Sequence, residues 1–391
     1  MAAEPAEIPY AGSTIIGLEA AHFSAIQRSV RLLFALAHSG SYQAALAPLA
    51  DEVSRHEPGN FGVFMGYDFH VSPDGPRLIE VNTNAGGALL NGLHTAALCD
   101  PEKLACMCSQ LLSVDDLERD LVDTFRAEHA AASRSREPLA RVAIVDDAPA
   151  AQFLAPEFEL FRALFANAGI EARIGDTREL ARRAGGGLAL GGWPVQLVYQ
   201  RDTDFALATE RTRALREAYL ANEVTLTPSP REHFLLADKR RLALFSAPEK
   251  LAALGVSADD ARFLAEVIPE TRLLADLDSE RAWAERASWV FKPAAAFGSR
   301  AVYRGDKISR KKFAEIAAQP GYVAQRHAPP GLVRVETTDG PREMKFDVRA
   351  YAYRDRVLLL GARVYEGQVT NLRSPGGGFS AICVARDCAT C

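Results

Sequence analysis

Apolar positions along this chain recur with two periods, and the switches between them mark out its elements. Over residues 12–55 the spacing is helical. IIGLEAAHFSAIQRSVRLLFALA keeps apolar side chains three and four apart, and SYQAALAPLADEVSRH continues the pattern after Gly40. Further on the period drops to two. The runs FGVF, ahead of Asp68, and RLI, ahead of Glu80, flank Pro73-Asp74-Gly75, which predicts a β-hairpin over 61–82. Helices are expected at about 86–112 and 115–132, the second capped by Ser113 or Asp115. The polar stretch AASRSREP, 131–138, reads as a linker.

Beyond it, strands and helices alternate. RVAIVDD (141–147), EARIGD (171–176), VQLVYQRD (195–202) and VTLTP (224–228) are predicted strands. FELFRALFANAG (158–169) is an amphipathic helix stopped by Gly169, and a second helix is expected at about 206–221. The glycines at 185–192 read as a flexible loop. Alternation of this kind implies a parallel, Rossmann-like sheet. The first strand is not followed by GxGxxG, which argues against a dinucleotide. Arg201, at the carboxyl end of a predicted strand, could anchor a substrate carboxylate or form a surface salt bridge.

The hairpin carries the first candidate chemistry. Alternation puts Glu80 and Asn82 on one face and Val81 on the other, with Asp68 on the partner strand. Two carboxylates and an amide oxygen are hard ligands of the kind Mg²⁺ takes beside nucleotide phosphates. In WVFKPAAAFGSRAVYRG (289–305), Lys292 lies on a strand running into a small-residue turn with Gly298 and Ser299, an arrangement suited to phosphate. Residues 345–380 then hold two alternating strands around Arg354-Asp355-Arg356, followed by Asn371-Leu372-Arg373 and Gly376-Gly377-Gly378.

Taken together, these segments resemble the ATP-grasp ligases. In that family an Asp, followed about a dozen residues on by Glu-x-Asn, holds magnesium. A lysine on a "KP" strand holds phosphates, and a "DxR…R…TN…GG" run lines the acyl-phosphate site. The order here, with the hairpin first, resembles circularly permuted members such as eukaryotic-type glutathione synthetases. The resemblance covers most of 226–380 and 61–90. It implies an α/β and α+β protein: an ATP-grasp fold in permuted order, with a Rossmann-like domain in front of the nucleotide-binding subdomains. The implied division is 1–135, 138–228 and 229–391.

By the same resemblance, Mg²⁺ or Mn²⁺ falls to Asp68, Glu80 and Asn82. ATP falls to Lys239 of the Asp238-Lys239 pair, Lys292, Gly298, Ser299 and the hinge at Gln325, Arg326 and His327, whose backbone amides would read the adenine edge. Arg349, Arg363 and Arg373 are the expected catalytic residues. Asn371 and Gly376, Gly377 and Gly378 join Arg201 as substrate candidates, though the triple glycine also reads as a mobile loop. Glu336 and Glu343 are candidates for the ribose. The implied reaction joins a small-molecule or peptide carboxylate to an amine through an acyl phosphate. Two alternatives stand beside it, a non-catalytic ATP-binding scaffold and an ATP-dependent phosphotransferase. Glutathione itself is disfavoured, because Gly66-Tyr67 stands where the permuted synthetases carry an arginine before the aspartate.

Composition narrows the setting. At 391 residues, 48% apolar and 24% charged, the chain has the make-up of a multi-domain globular protein. A net charge of −5 argues against bulk attraction to nucleic acid or an anionic membrane. No signal-peptide pattern or membrane span is read, so a reducing cytoplasm is expected, with room for a homodimer. Six cysteines fall in two groups, Cys99, Cys106 and Cys108, then Cys383, Cys388 and Cys391. Free thiols, a redox pair or an additional metal on the second group are the open readings. With a permuted order, the C-terminus is expected near the start of the 61–71 strand.

Overall fold

The computed structural model describes residues 8–98, 113–132, 137–294, 301–337, 340–368 and 370–385. The first part of the chain supplies β1 (Tyr10–Leu18), β2 (Met65–Ser72) and β3 (Gly75–Asn82). The middle supplies β4 (Arg141–Asp146), β5 (Glu171–Asp176), β6 (Leu180–Arg182), β7 (Leu188–Leu190), β8 (Trp193–Val195), β9 (Leu197–Gln200) and β10 (Thr225–Thr227). Then come β11 (Thr271–Leu273), β12 (Trp289–Pro293), β13 (Tyr303–Arg304) and β14 (Tyr322–Arg326). The last part supplies β15 (Gly331–Thr337), β16 (Gly340–Tyr353), β17 (Arg356–Tyr365) and β18 (Gly378–Val384).

Both ends of the chain build one seven-stranded sheet, ordered β1-β18-β17-β16-β2-β3, with β15 on the first half of β16. The long β16 holds it together, pairing antiparallel with β15, β17 and β2. The helix Ala20–Ala37 contributes Phe23, Ile26, Val30 and Leu33 to the core beneath this sheet, all buried at helical spacing. Each such side chain contributes about 1.5–3 kcal/mol on leaving water.

One helical expectation fails at its start. Residues 10–18 are a strand, parallel to β18 with Ile16 opposite Ile382, and the helix begins only at Ala20. β-branched Ile15 and Ile16 with Gly17 are poor helix formers, and the edge of β18 offers them a ladder. β18 itself extends past the glycine run and pairs with β1 and β17, so β17 and β16 separate it from the 61–71 strand.

The middle of the chain forms the parallel sheet that alternation predicted, ordered β10-β9-β4-β5, with every pair parallel. Helix Ala155–Asn167 crosses between β4 and β5, and Gly169, at φ +76°, turns the chain after it. The glycine-rich 185–192 segment is more ordered than expected, since its glycines turn the hairpins of the small antiparallel sheet β6-β7-β8. A fourth sheet, β11-β14-β12-β13, completes the mixed α/β molecule. Ser113 caps helix Val114–Ala132 by accepting the Asp116 N–H at 3.1 Å. Residues 133–136 of the expected linker lie outside the described residues. No described helix is long and apolar enough to cross a membrane.

Candidate functional site

The hairpin register is the foundation of the site. Asp68 faces Glu80 and Gly66 faces Asn82, with a bulge after Asp68. Alternation then puts Asp68, Glu80 and Asn82 on one face, while Val81 is buried on the other. On β16 the same period aligns Lys345, Asp347 and Arg349, and β17 sets Tyr365 opposite Lys345 and Arg363 opposite Asp347. One face of the seven-stranded sheet thus carries a ladder of charges.

These charges interlock. Arg349 donates to both Asp68 oxygens, Nε at 2.6 Å and Nη2 at 2.7 Å. Arg363 donates to Asp68 Oδ2 at 2.8 Å and to Asp347 Oδ1 at 2.6 Å, and Thr370 Oγ1 donates to Asp347 at 2.6 Å. Asn82 Nδ2 donates to Asp68 at 2.9 Å and to Glu80 at 3.2 Å. Asp68 and Asp347 are both 0% exposed. Burial works to raise the Asp68 pKa, but Arg349 and Arg363 outweigh it and hold the carboxyl well below the usual carboxylate range.

Above this floor lies a cavity of about 740 Å³, large enough for a nucleotide with a small second molecule. Three parts of the fold wall it. The floor contributes Glu80, Asn82, Lys345, Arg349, Arg363 and Tyr365. The β11-β14-β12-β13 sheet and its hinge contribute Val290, Lys292, Arg304 and Gln325 to Ala328. Phe153, Leu154, Thr203 and Phe205 come from loops of the parallel-sheet unit. Lys239 reaches in from the turn after Asp238, which caps that turn by accepting the Arg240 N–H at 3.0 Å.

The two expected phosphate lysines converge here. Lys239 Nζ is 3.8 Å from Glu80 Oε2. Lys292 Nζ donates to Gln325 Oε1 at 2.7 Å and to the Ile79 carbonyl at 3.0 Å. Burial pushes the Lys292 pKa down to about 8, against the pull of Glu80 and with Lys239 adding to the depression. Among the described residues, eight Lys and Arg side chains line the cavity against one carboxylate, Glu80. Such a chamber attracts a polyanion.

For a divalent cation the donor set fits in part. Glu80 and the Asn82 amide border the cavity and offer hard oxygen. Asp68 does not border it and is engaged by two arginines, so it stands behind the other two. Among the described residues no group of three or more His, Cys, Asp or Glu is placed to hold a metal.

Other expected residues lie elsewhere. Gly298 and Ser299 fall outside the described residues. Asn371 and Arg373 line the cavity, but Gly376, Gly377 and Gly378 do not. These glycines pack a tight turn instead: a Cβ on Gly378 would meet the Pro9 carbonyl oxygen at 2.2 Å, and the Gly377 N–H already donates to Ser374 O at 2.8 Å. Arg201 is neither on the cavity wall nor on the surface. It is buried behind Gly86, donating to Tyr199 at 3.0 Å and lying 4.0 Å from Glu157. Gln325 is held by Lys292 and donates to Thr271 Oγ1 at 3.3 Å.

The hinge amides expected to read adenine are engaged too, Arg326 N–H on Glu270 O at 2.8 Å and His327 N–H on Ser288 O at 2.9 Å. The Arg326 side chain pairs with Glu270 at 3.1 Å and stacks on Trp289, and Arg304 pairs with Asp306. Glu336 and Glu343 are exposed and off the cavity. Cys383 is disulfide-bonded, which removes it as a thiolate ligand, and Cys388 and Cys391 lie outside the described residues.

Several lining or supporting residues carried no signal of their own in the sequence. Lys345 is legible only through its spacing from Arg349, while Asp347 is the Asp of the DxR run. His233 accepts or donates to Thr83 Oγ1 at 2.7 Å and stacks on Phe205 at 4.3 Å, and burial pushes its pKa down to about 4. Glu157 accepts the N–H groups of Gly87 at 2.9 Å and Leu89 at 3.1 Å, fixing the loop after β3.

The chain matches no family model and no curated protein. Among solved structures, it is similar to one provisionally named a gamma-glutamylcysteine synthetase, from Methylobacillus flagellatus KT, at 12% identity and a TM-score of 0.47 over 88% of this chain and 85% of that one. It is also similar to the ATP-grasp ligase PsnB, in a complex with minimal precursor, Mg and ADP, at 16% identity and a TM-score of 0.32 over 63% of this chain and 88% of that one.

Proposed function

We propose that this chain is an ATP-dependent ligase of ATP-grasp type, joining a carboxylate to an amine with Mg²⁺ as cofactor. The observation that carries the reading is the cavity's lining, in which Lys239 and Lys292 converge beside Glu80 and Asn82 over an arginine-rich floor. The lysines neutralise phosphate charge, and Glu80 and Asn82 would hold the cation, which shields phosphate oxygens when bound. A substrate carboxylate oxygen attacks the γ-phosphorus, and the bond to ADP breaks with its electron pair leaving on ADP. The amine nitrogen then attacks the acyl carbon, phosphate leaves, and the nitrogen gives up a proton. Arg349 and Arg363 supply fixed positive charge beneath the transferring group.

A second reading, nucleotide binding without catalysis, draws on the arginine pairing that closes Asp68 to a cation. Calorimetry of a non-hydrolysable ATP analogue tests what the two share. Wild type should bind at least tenfold more weakly without Mg²⁺. Lys292→Ala should lose tenfold or more, about 1.4 kcal/mol, and Glu80→Gln should lose the metal dependence. Absence of binding to wild type would reject both readings. Phosphate release that requires a carboxylate and an amine together selects the ligase.

A further inference from the structure

Three of the cavity's cationic side chains, Lys292, Lys345 and Arg373, pair with no carboxylate among the described residues. Five of its eight cationic side chains meet a carboxylate, and Lys292 donates to the Ile79 carbonyl and Gln325 Oε1. Lys345 Nζ donates to the Gly367 carbonyl. The Arg373 guanidinium lies 5.0 Å from the centroid of the Phe153 ring.

That stack joins two parts of the fold. Arg373 comes from the connection between β17 and β18, and Phe153 from the loop between β4 and helix Ala155–Asn167. Stacking engages the face of a guanidinium and leaves its N–H edge for a ligand. Beside it the parallel-sheet unit presents an apolar wall of Phe153, Leu154 and Phe205. A ligand suited to this corner has an anionic group and an apolar or aromatic body. A second cation brought into a chamber with eight basic side chains and one carboxylate is repelled.

We propose that Arg373 and Phe153 form a specificity-determining clasp for an anionic co-substrate with an apolar body, and that the cavity rejects cationic amines such as diamines. This rests on the nucleotide-dependent ligase reading above.

The test uses the full chain saturated with ADP and a matched probe series: 3-phenylpropionate, 3-phenylpropanamide and 3-phenylpropylamine. Calorimetry should show the anion binding at least tenfold more tightly than the cation, with the amide between. Arg373→Gln should erase the preference, and Arg373→Lys should keep part of it. Phe153→Ala should weaken all three probes. Equal binding of anion and cation, no binding of any probe, or an undiminished preference in Arg373→Gln would overturn the clasp. If wild type binds ADP in those cases, only the clasp is lost. If it does not bind ADP, the ligase reading fails first.

Discussion

On the cavity floor, Asp68 and Asp347 are sealed from water, and arginine nitrogens meet them at 2.6–2.8 Å. Beside the carboxyl ends of the parallel strands, Glu157 and Asp146 are buried as well, but the nearest guanidinium, Arg201, stops 4.0 Å from Glu157. The outcomes diverge. On the floor, the arginines overcome the cost of burial and keep Asp68 ionised. At Glu157 and Asp146 burial prevails: Glu157 is raised, and Asp146 is pushed up to about 6 despite the Asp147 N–H and Arg201, whereas Asp202 in the same unit, met by Arg211 at 2.7 Å, is lowered. The difference is one of contact geometry, since direct charge-assisted hydrogen bonds are what hold a buried carboxyl's pKa down. On the floor, direct arginine contacts hold charge in a buried network. Glu157, by contrast, pins backbone by accepting the Gly87 and Leu89 N–H groups.

The comparison breaks most visibly at Arg363. Arg363→Met leaves Asp347 with Thr370 as its side-chain donor among the described residues and strips one of two arginines from Asp68. Removing one partner of such a buried pair is expected to cost about 3–5 kcal/mol. Urea unfolding measures it, and a loss below about 1 kcal/mol would mean the floor behaves like a solvated surface.

The next effect is a matter of sign. Asp68, with its pKa depressed, contributes stability that is present above the unfolded value of about 4 and lost as pH falls below it. Asp146 acts the other way. Its folded pKa near 6 means the folded state holds the extra proton between about pH 4 and 6, so stability declines as pH rises through that window. Asp146→Asn should flatten this decline, by about 1–3 kcal/mol between the two ends. Urea midpoints at about pH 4 and about pH 7 check it, and an unchanged slope would remove Asp146 from the account.

The same contrast explains what the sequence made legible. Strand period and turn chemistry place Asp68, Glu80 and Asn82 on one face, because side-chain direction in a hairpin is a local property. Local spacing also makes the parallel sheet readable from alternating elements. Whether Asp68 faces a cation or two arginines depends on β16 and β17, more than two hundred residues away in sequence. No local rule carries that. The helical pattern over 12–18 gives way to a strand for the same reason: its partner, β18, lies at the other end of the chain. The hinge amides and the triple glycine were identified as segments, but their hydrogen bonds and packing partners come from Glu270, Ser288, Pro9 and Val364. Arg201 was placed correctly at a strand end, yet its burial depends on Gly86, Tyr199 and Glu157 from three different elements.

The smallest expected effect sharpens the comparison from the other side. If Arg201 serves packing rather than charge balance, Arg201→Met should be tolerated where Arg363→Met is not. Its Nε has no partner, its contact with Glu157 is a long 4.0 Å, and it packs near the rings of Phe158 and Tyr199. Glu157 keeps the Gly87 and Leu89 N–H groups in either case. Methionine retains most of the apolar stem and removes an incompletely satisfied buried charge. The expected cost is about 1 kcal/mol or less, with ATP-analogue affinity unchanged because Arg201 does not border the cavity. Urea unfolding and calorimetry on the same variant decide it. A loss as large as that of Arg363→Met would show that Arg201 neutralises Glu157 after all, and the two regions would then obey one electrostatic rule.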